Sequence, residues 1–168
     1  MSRVEFQDFS FQVKAALNDT TIAWLYETSE EIKSQAQRKC ALAGDAGKQL
    51  KGSYDRIVDE GKGEAQIGSP LEQAFWEEYG TGQHAKGPKP GRQGWWIYIE
   101  GQASGNGGQT YRTKEEAEAM AAYIREKYGK NAVVTNGRDP NYTLQKAFEA
   151  TKNKAQSRLA AMLKEGME

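Results

Sequence analysis

Between residues 18 and 42 the apolar positions fall at Ile22, Leu25, Thr28 or Ser29, Ile32, Ala36 and Cys40, the three-to-four spacing of one helix face. Asn18 or Asp19 supplies an N-cap in front of that stripe, while Glu27, Glu30, Glu31, Lys33, Gln37 and Arg38 take the other faces. The pattern predicts an amphipathic helix of about 24 residues, about 36 Å long at 1.5 Å per residue. Trp24 and Tyr26 flank the stripe and are read as core. Ala43-Gly44-Asp45-Ala46-Gly47 reads as a break and turn, because its two glycines supply C-cap and turn conformations.

The period then changes. Ser53 to Asp59 and Glu64 to Gly68 are short β-favourable runs separated by Glu60-Gly61-Lys62-Gly63, which predicts an antiparallel hairpin. Ser69-Pro70 reads as an N-cap with proline at the first helical position, opening a short helix through Glu78 with Leu71, Ala74, Phe75 and Tyr79 on one side. Residues 80 to 94 hold five glycines, two prolines and Lys86, Lys89 and Arg92, and predict a mobile loop longer than most connections inside compact domains. Gly94 to Glu100, with Trp95, Trp96, Ile97, Tyr98 and Ile99, is apolar on both alternating faces and predicts a strand central in its sheet and covered on both sides.

Gly101 to Gly108 reads as a flexible turn and Gln109 to Arg112 as a short strand. Thr113-Lys114-Glu115-Glu116 is a capping box that starts a helix to Tyr128, burying Ala117, Met120, Ala121 and Ile124. Gly129 ends it, Ala132 to Thr135 is one more strand, and Asn136-Gly137 is a turn. Asp139-Pro140 opens the last helix, whose stripe runs through Leu144, Ala147 or Phe148, Thr151, Ala155, Leu159 and Met162 or Leu163. The sum is an α+β fold, a small and largely antiparallel sheet packed against two long helices, in a single domain over residues 1 to 168.

Composition narrows the chemistry. Leu, Ile, Val and Phe make up only 25 of 168 residues, while 21 alanines and 17 aromatics replace the missing aliphatic bulk, so the expected core is lean. No run is long and apolar enough for a membrane span or a signal peptide, and synthesis in the cytoplasm is expected. One cysteine, Cys40, and one histidine, His84, exclude internal disulfides and structural zinc sites. The net charge is zero, yet residues 1 to 84 carry 9 basic and 14 acidic groups and residues 85 to 168 carry 14 and 9. Such a polar chain suits head-to-tail stacking, although exposed faces that differ in sign account for it as well.

His84 lacks a nucleophile motif and is read as a loop histidine. Glu77 and Glu78, with Glu72 earlier, are read as a solvated face, since adjacent helical residues point apart; acid-base work on these carboxylates is the less favoured alternative. None of the glycine-rich segments forms a phosphate cradle, so no cofactor is expected. Lys86, Lys89 and Arg92 followed by Trp95 and Trp96 suit backbone contact and base stacking, the pattern of a small DNA-binding module using residues 84 to 96, but three cations release few counterions.

Three segments in order, Asp45-Ala46-Gly47-Lys48-Gln49-Leu50-Lys51-Gly52-Ser53, Ala65-Gln66-Ile67-Gly68-Ser69 and Gln73-Ala74-Phe75-Trp76-Glu77-Glu78-Tyr79-Gly80-Thr81-Gly82, resemble a family of neck and tail-completion proteins of long-tailed bacteriophages. In that family a long helix precedes a D-T-G-x-L-x-x-S segment, a hairpin ends in I-G and a short helix ends in E-x-G-T-G. The matching residues are Asp45, Gly47, Leu50, Ser53, Gly68, Glu78, Gly80, Thr81 and Gly82, and the likeness extends more loosely to the first helix and to the Pro-led last one. Ala46 stands where the family usually has Thr, and residues 101 to 135 look like an inserted strand-helix-strand unit without counterpart in the shorter members.

The resemblance implies a non-enzymatic virion protein at the head-tail junction, a neck ring or tail-completion component. It implies a homo-oligomeric ring, contacts with other neck, head-closure or tail-tube proteins, and non-specific contact with DNA in the lumen. Thr81, His84, Lys86, Lys89, Arg92, Trp95 and Trp96 are then the expected assembly or DNA-facing residues.

Overall fold

The computed structural model describes residues 19–88, 90–100 and 108–165; Asn18, Lys89 and the turn expected from Gly101 lie outside the described residues. The fold is α+β, with five helices and small antiparallel sheets among the described residues. The described residues divide into two compact units, one formed by those up to Glu78 together with those from Asn141 onward, the other by those within Tyr79–Pro140. The second unit begins well before the 101 to 135 segment that the sequence marks as inserted.

In the first unit, helix α1 spans Asp19–Lys39 and the last helix, α5, spans Thr143–Glu165. The two pack antiparallel: the indole of Trp24 on α1 donates to the carbonyl of Ala155 at 2.7 Å, while the Lys39 carbonyl accepts from Asn141 just before α5. Small residues line both, Thr21, Thr28, Ser29 and Ala36 on α1 and Ala147, Thr151 and Ala155 on α5, so the axes approach closely between the larger Leu25, Ile32 and Leu144. The expected stripes are the buried faces; Trp24 is core, but Tyr26 remains 37% exposed. Acidic side chains of α1 also meet basic ones of α5. Lys154 and Arg158 bond Glu31, and Arg158 reaches Glu27, so part of the sign asymmetry of the chain is neutralised within one molecule.

Gly44–Ser53 is a helix, α2, where the sequence predicts a turn followed by a strand from Ser53. Leu50 is its one fully buried aliphatic side chain, and Gly47 lies so close beneath the Leu42 carbonyl that a Cβ there would sit 2.0 Å from the oxygen. Tertiary packing, more than propensity, holds this glycine-containing helix in place. Strands β1, Asp55–Asp59, and β2, Glu64–Gly68, form the predicted hairpin, with Ile57 opposite Gln66. Ala65 and Ile67 of β2 face the core, and α1 packs on the hairpin.

Helix α3 spans Glu72–Tyr79, beginning two residues after Pro70, and Ser69 Oγ accepts from the Leu71 N–H at 3.1 Å as an N-cap side chain does. Helix α5 begins at Thr143 and not at Pro140: Tyr142 adopts φ +53°, which a right-handed helix excludes. Within the first unit the Glu77 carbonyl accepts from the Asn141 N–H at 2.8 Å, so its chain stops and resumes at neighbouring points.

In the second unit, β3, Thr81–Gly82, pairs with β7, Gly137–Arg138. Strand β4, Trp95–Ile99, is central between β5, Thr110–Tyr111, and β6, Ala132–Thr135. Helix α4, Lys114–Tyr128, starts on the predicted capping box at Thr113 and ends on Gly129 in left-handed conformation. The antiparallel strands are thus spread over three sheets. Asn136 bends the chain, but Gly137 belongs to β7 instead of a free turn. Strand β4 is only half-buried and Tyr98 is exposed, so its coverage on both faces is not realised. The buried face of α4 is Ala117 and Ala121 with half-buried Ile124, whereas Met120, expected inside, is exposed. With alanine at both buried positions the helix lies flat on the sheet and leaves no depth for methionine at 120.

Candidate functional site

The matching residues of the first unit form a framework. Asp45, exposed in the first turn of α2, pairs with Lys48 at 3.4 Å. At the end of α2, Ser53 Oγ donates to the Leu50 carbonyl at 2.7 Å, so its only proton is used. The 2.7 Å contact between Ser53 Oγ and Ser69 Oγ is therefore donated by Ser69, which in turn accepts from the Leu71 N–H at 3.1 Å. This relay ties the end of α2 to the chain just past buried Gly68 and to the start of α3.

Glu77 and Glu78 are both buried, at 2% and 3% exposure, so the expected solvated face is overturned. Glu78 accepts from the N–H groups of Leu144 at 2.7 Å and Gln145 at 3.1 Å, two of the N-terminal donors of α5 that no carbonyl within the helix can reach. Glu77 Oε1 accepts from the Ala41 N–H at 2.6 Å, from Asn141 Nδ2 at 2.9 Å and from the Thr143 hydroxyl at 3.4 Å. The two adjacent carboxylates thus diverge, as helical neighbours do, and join the end of α1, the end of α3 and the start of α5. Burial lifts the Glu78 carboxyl above its ordinary value more than its two N–H partners lower it, and the charge of Glu77 adds to the rise. Burial likewise pushes the Tyr54 phenol up, with Cys40, Glu77 and Glu78 contributing.

The loop residues of the second unit are tied down. Residues 80 to 94 begin with β3, and the Gln83 N–H donates to the Asn136 carbonyl at 2.9 Å. Thr81 Oγ1 accepts from the Arg138 N–H at 3.0 Å. His84 Nδ1 bonds Asp139 Oδ1 at 2.8 Å and Nε2 faces Asn136 Oδ1 at 3.3 Å, so it is an anchored turn residue with its ring nitrogens engaged. Gly80 is buried. Gly82 has φ +59°, and a Cβ there would lie 2.1 Å from the Asn136 carbonyl oxygen and 2.4 Å from the Trp96 ring. Gly82→Ala should therefore cost about 2 kcal/mol from left-handed strain and overpacking. Hydrogen exchange over residues 81 to 86 and 135 to 139 measures it; unchanged protection would contradict the packing described.

Of the described basic side chains near the loop, Arg92 and Lys114 lie over tryptophan rings and Lys86 is exposed. Arg92 stacks on Trp96 at 5.0 Å, donates to Thr110 Oγ1 at 3.0 Å and reaches the Gly108 carbonyl, so its guanidinium is largely committed inside the unit. Lys114 lies 5.9 Å over the Trp95 ring. Lys86 is exposed, its backbone N–H bonded to the Tyr79 carbonyl at 2.8 Å. Thr81, His84, Arg92 and Trp96 belong to one hydrogen-bonded and packed region, whereas Lys86 projects from it.

Nothing in the sequence marks Asn136 and Asp139 as partners of His84, or Leu144 as a partner of Glu78, because the pairings span 52 to 66 positions. Among the described residues no group of three or more His, Cys, Asp or Glu side chains is arranged to hold a metal ion, and no helix is long and apolar enough to cross a membrane. Compared with protein-family models, with curated proteins and with solved structures, the chain finds no match.

Proposed function

We propose that this chain is a structural protein of a long-tailed bacteriophage virion, a neck or tail-completion component that works by assembling with copies of itself and with adjoining head-closure or tail-tube proteins. The observation that carries the reading is the use made of the resembling segments. Ser53 is linked to the segment after Gly68 through the serine relay, Leu50 is fully buried, and Glu78 caps the last helix. These residues are spent on holding a scaffold, as befits a protein whose product is a shape. Arg92, bound to Trp96 and Thr110, is poorly placed to bind a phosphate backbone as well, which favours assembly over DNA binding.

Light scattering across protein concentration, at low and moderate salt, tests the reading. A discrete oligomer of ring size is expected, annular by electron microscopy. A strict monomer that retains duplex DNA in a salt-sensitive way, and loses it on Lys86→Ala with Arg92→Ala, would replace this reading with that of a DNA-binding module.

A further inference from the structure

The chain holds two Asn-Gly pairs: Asn106-Gly107, which is not wholly within the described residues, and Asn136-Gly137, at the bend between β6 and β7. Asparagine followed by glycine is a labile pair, because the missing Cβ leaves the glycine nitrogen free to reach the asparagine side-chain carbonyl. At residue 137 the packing itself demands glycine. Its φ is +132°, and a Cβ there would lie 2.1 Å from the Thr81 carbonyl oxygen. The close approach of β7 to β3 therefore fixes a labile pair at this bend.

The half-buried Asn136 is held at both ends of its side chain. Its Nδ2 donates to Gln83 Oε1 at 3.2 Å, its Oδ1 faces His84 Nε2 at 3.3 Å, and its main-chain carbonyl accepts from the Gln83 N–H at 2.9 Å. The neighbouring Gly137 N–H donates to Thr135 Oγ1 at 3.1 Å. Attack by the Gly137 nitrogen removes that hydrogen and expels Nδ2, so the contacts to Thr135 and Gln83 both have to be given up.

We propose that Asn136 is a latent deamidation site, guarded by Gln83, His84 and Thr135, whose conversion irreversibly unfastens the pairing of β3 with β7. The Gly137 nitrogen loses its proton and bonds Cγ of Asn136; the Cγ–Nδ2 bond breaks and ammonia leaves with a proton, closing a cyclic imide. Water then opens the ring at either carbonyl, with no oxidation or reduction. Opening at the side-chain carbonyl leaves an aspartyl residue, whose carboxylate offers Gln83 Oε1 no hydrogen. Opening at the main-chain carbonyl leaves an isoaspartyl link. That link runs the chain through Cβ and Cγ, and the extra backbone atom takes Gly137 and Arg138 out of register with Gly82 and Thr81. None of this depends on the assembly reading.

Peptide mapping by mass spectrometry tests it, on the full chain incubated in mildly alkaline buffer, with a synthetic peptide of residues 132 to 141 as the unguarded reference. Conversion runs through the opened clasp, so its rate relative to the peptide reports the open fraction. It should be at least about tenfold slower than in the peptide, and the slowing should match the hydrogen-exchange protection of the Gln83 N–H within about threefold. Gln83→Ala with His84→Ala should speed conversion at least about threefold, with circular dichroism unchanged. As a second readout, Asn136→Asp should by itself lower hydrogen-exchange protection at Gln83 and Arg138. Conversion as fast as in the peptide, a rate unaltered by the double change, or full protection in Asn136→Asp overturns the proposal.

Discussion

Trp24→Ala is expected to lower the stability of the first unit by about 4 kcal/mol, the range for emptying a large aromatic site in a close-packed core. The indole is 2% exposed, and its N–H donates at 2.7 Å to the carbonyl of Ala155, 131 positions away, so one side chain both fills and fastens the contact between α1 and α5. Trp24→Phe separates the two roles. It keeps most of the ring volume and leaves the hydrogen bond unmade, for an expected cost of about 1 to 2 kcal/mol. Denaturant unfolding followed by far-ultraviolet circular dichroism measures both, with the midpoint shifted and the slope preserved. Equal losses in the two variants would show that the bond, and not the filled volume, dominates.

Glu78→Ala should cost about 3 kcal/mol, because it strands two buried N–H groups at the start of α5 and opens a gap at the same place. Glu78→Gln, which retains one accepting oxygen, should cost about half as much. The pH dependence has a definite sign. Because burial raises the carboxyl, the folded chain holds this proton more tightly than the unfolded chain. The stabilisation is complete below the ordinary glutamate value of 4.5 and is lost as pH rises through the raised value. The stability of the parent minus that of Glu78→Gln should thus fall across that window and then level off. Glu30 acts oppositely: Lys33 and Arg56 hold it below its ordinary value, so its contribution is present above that value and lost as pH falls. A flat difference curve for Glu78 would mean that its two N–H partners offset its burial completely.

Signals confined to a few neighbouring residues were legible in the sequence. The capping box at Thr113, the hairpin around Gly61 and the stripes of α1 and α5 each depend on spacing within one element, and each is present as expected. Helix α2 was hidden because Gly-Asp-Ala-Gly-Lys-Gln-Leu-Lys-Gly-Ser offers one aliphatic anchor and three glycines, while Leu50 is fully buried and the helix contacts α1. The burial of Glu77 and Glu78 was hidden for a related reason. Adjacent acids read as solvated until the N–H groups they satisfy arrive from residues 144 and 145. The candidate loop was legible in composition and not in state, since its anchors at Asn136, Asp139 and Thr110 come from far along the chain.

The bond between the Glu77 carbonyl and the Asn141 N–H makes the first unit a structure with a deferred ending. At about 5 to 20 residues per second, several seconds of synthesis separate α3 from α5. Over that interval α1 can pack on the β1–β2 hairpin but lacks its contact with α5, while Tyr79–Pro140, whose strand and helix partners lie within its own stretch, can already close. The nascent chain is thus most vulnerable to chaperone capture or misassociation after its second unit is complete and before its last helix arrives. The same adjacency gives protein engineers a splice point: a short linker from Glu78 to Asn141 bypasses the entire second unit and leaves the α1–α5 core with both of its halves.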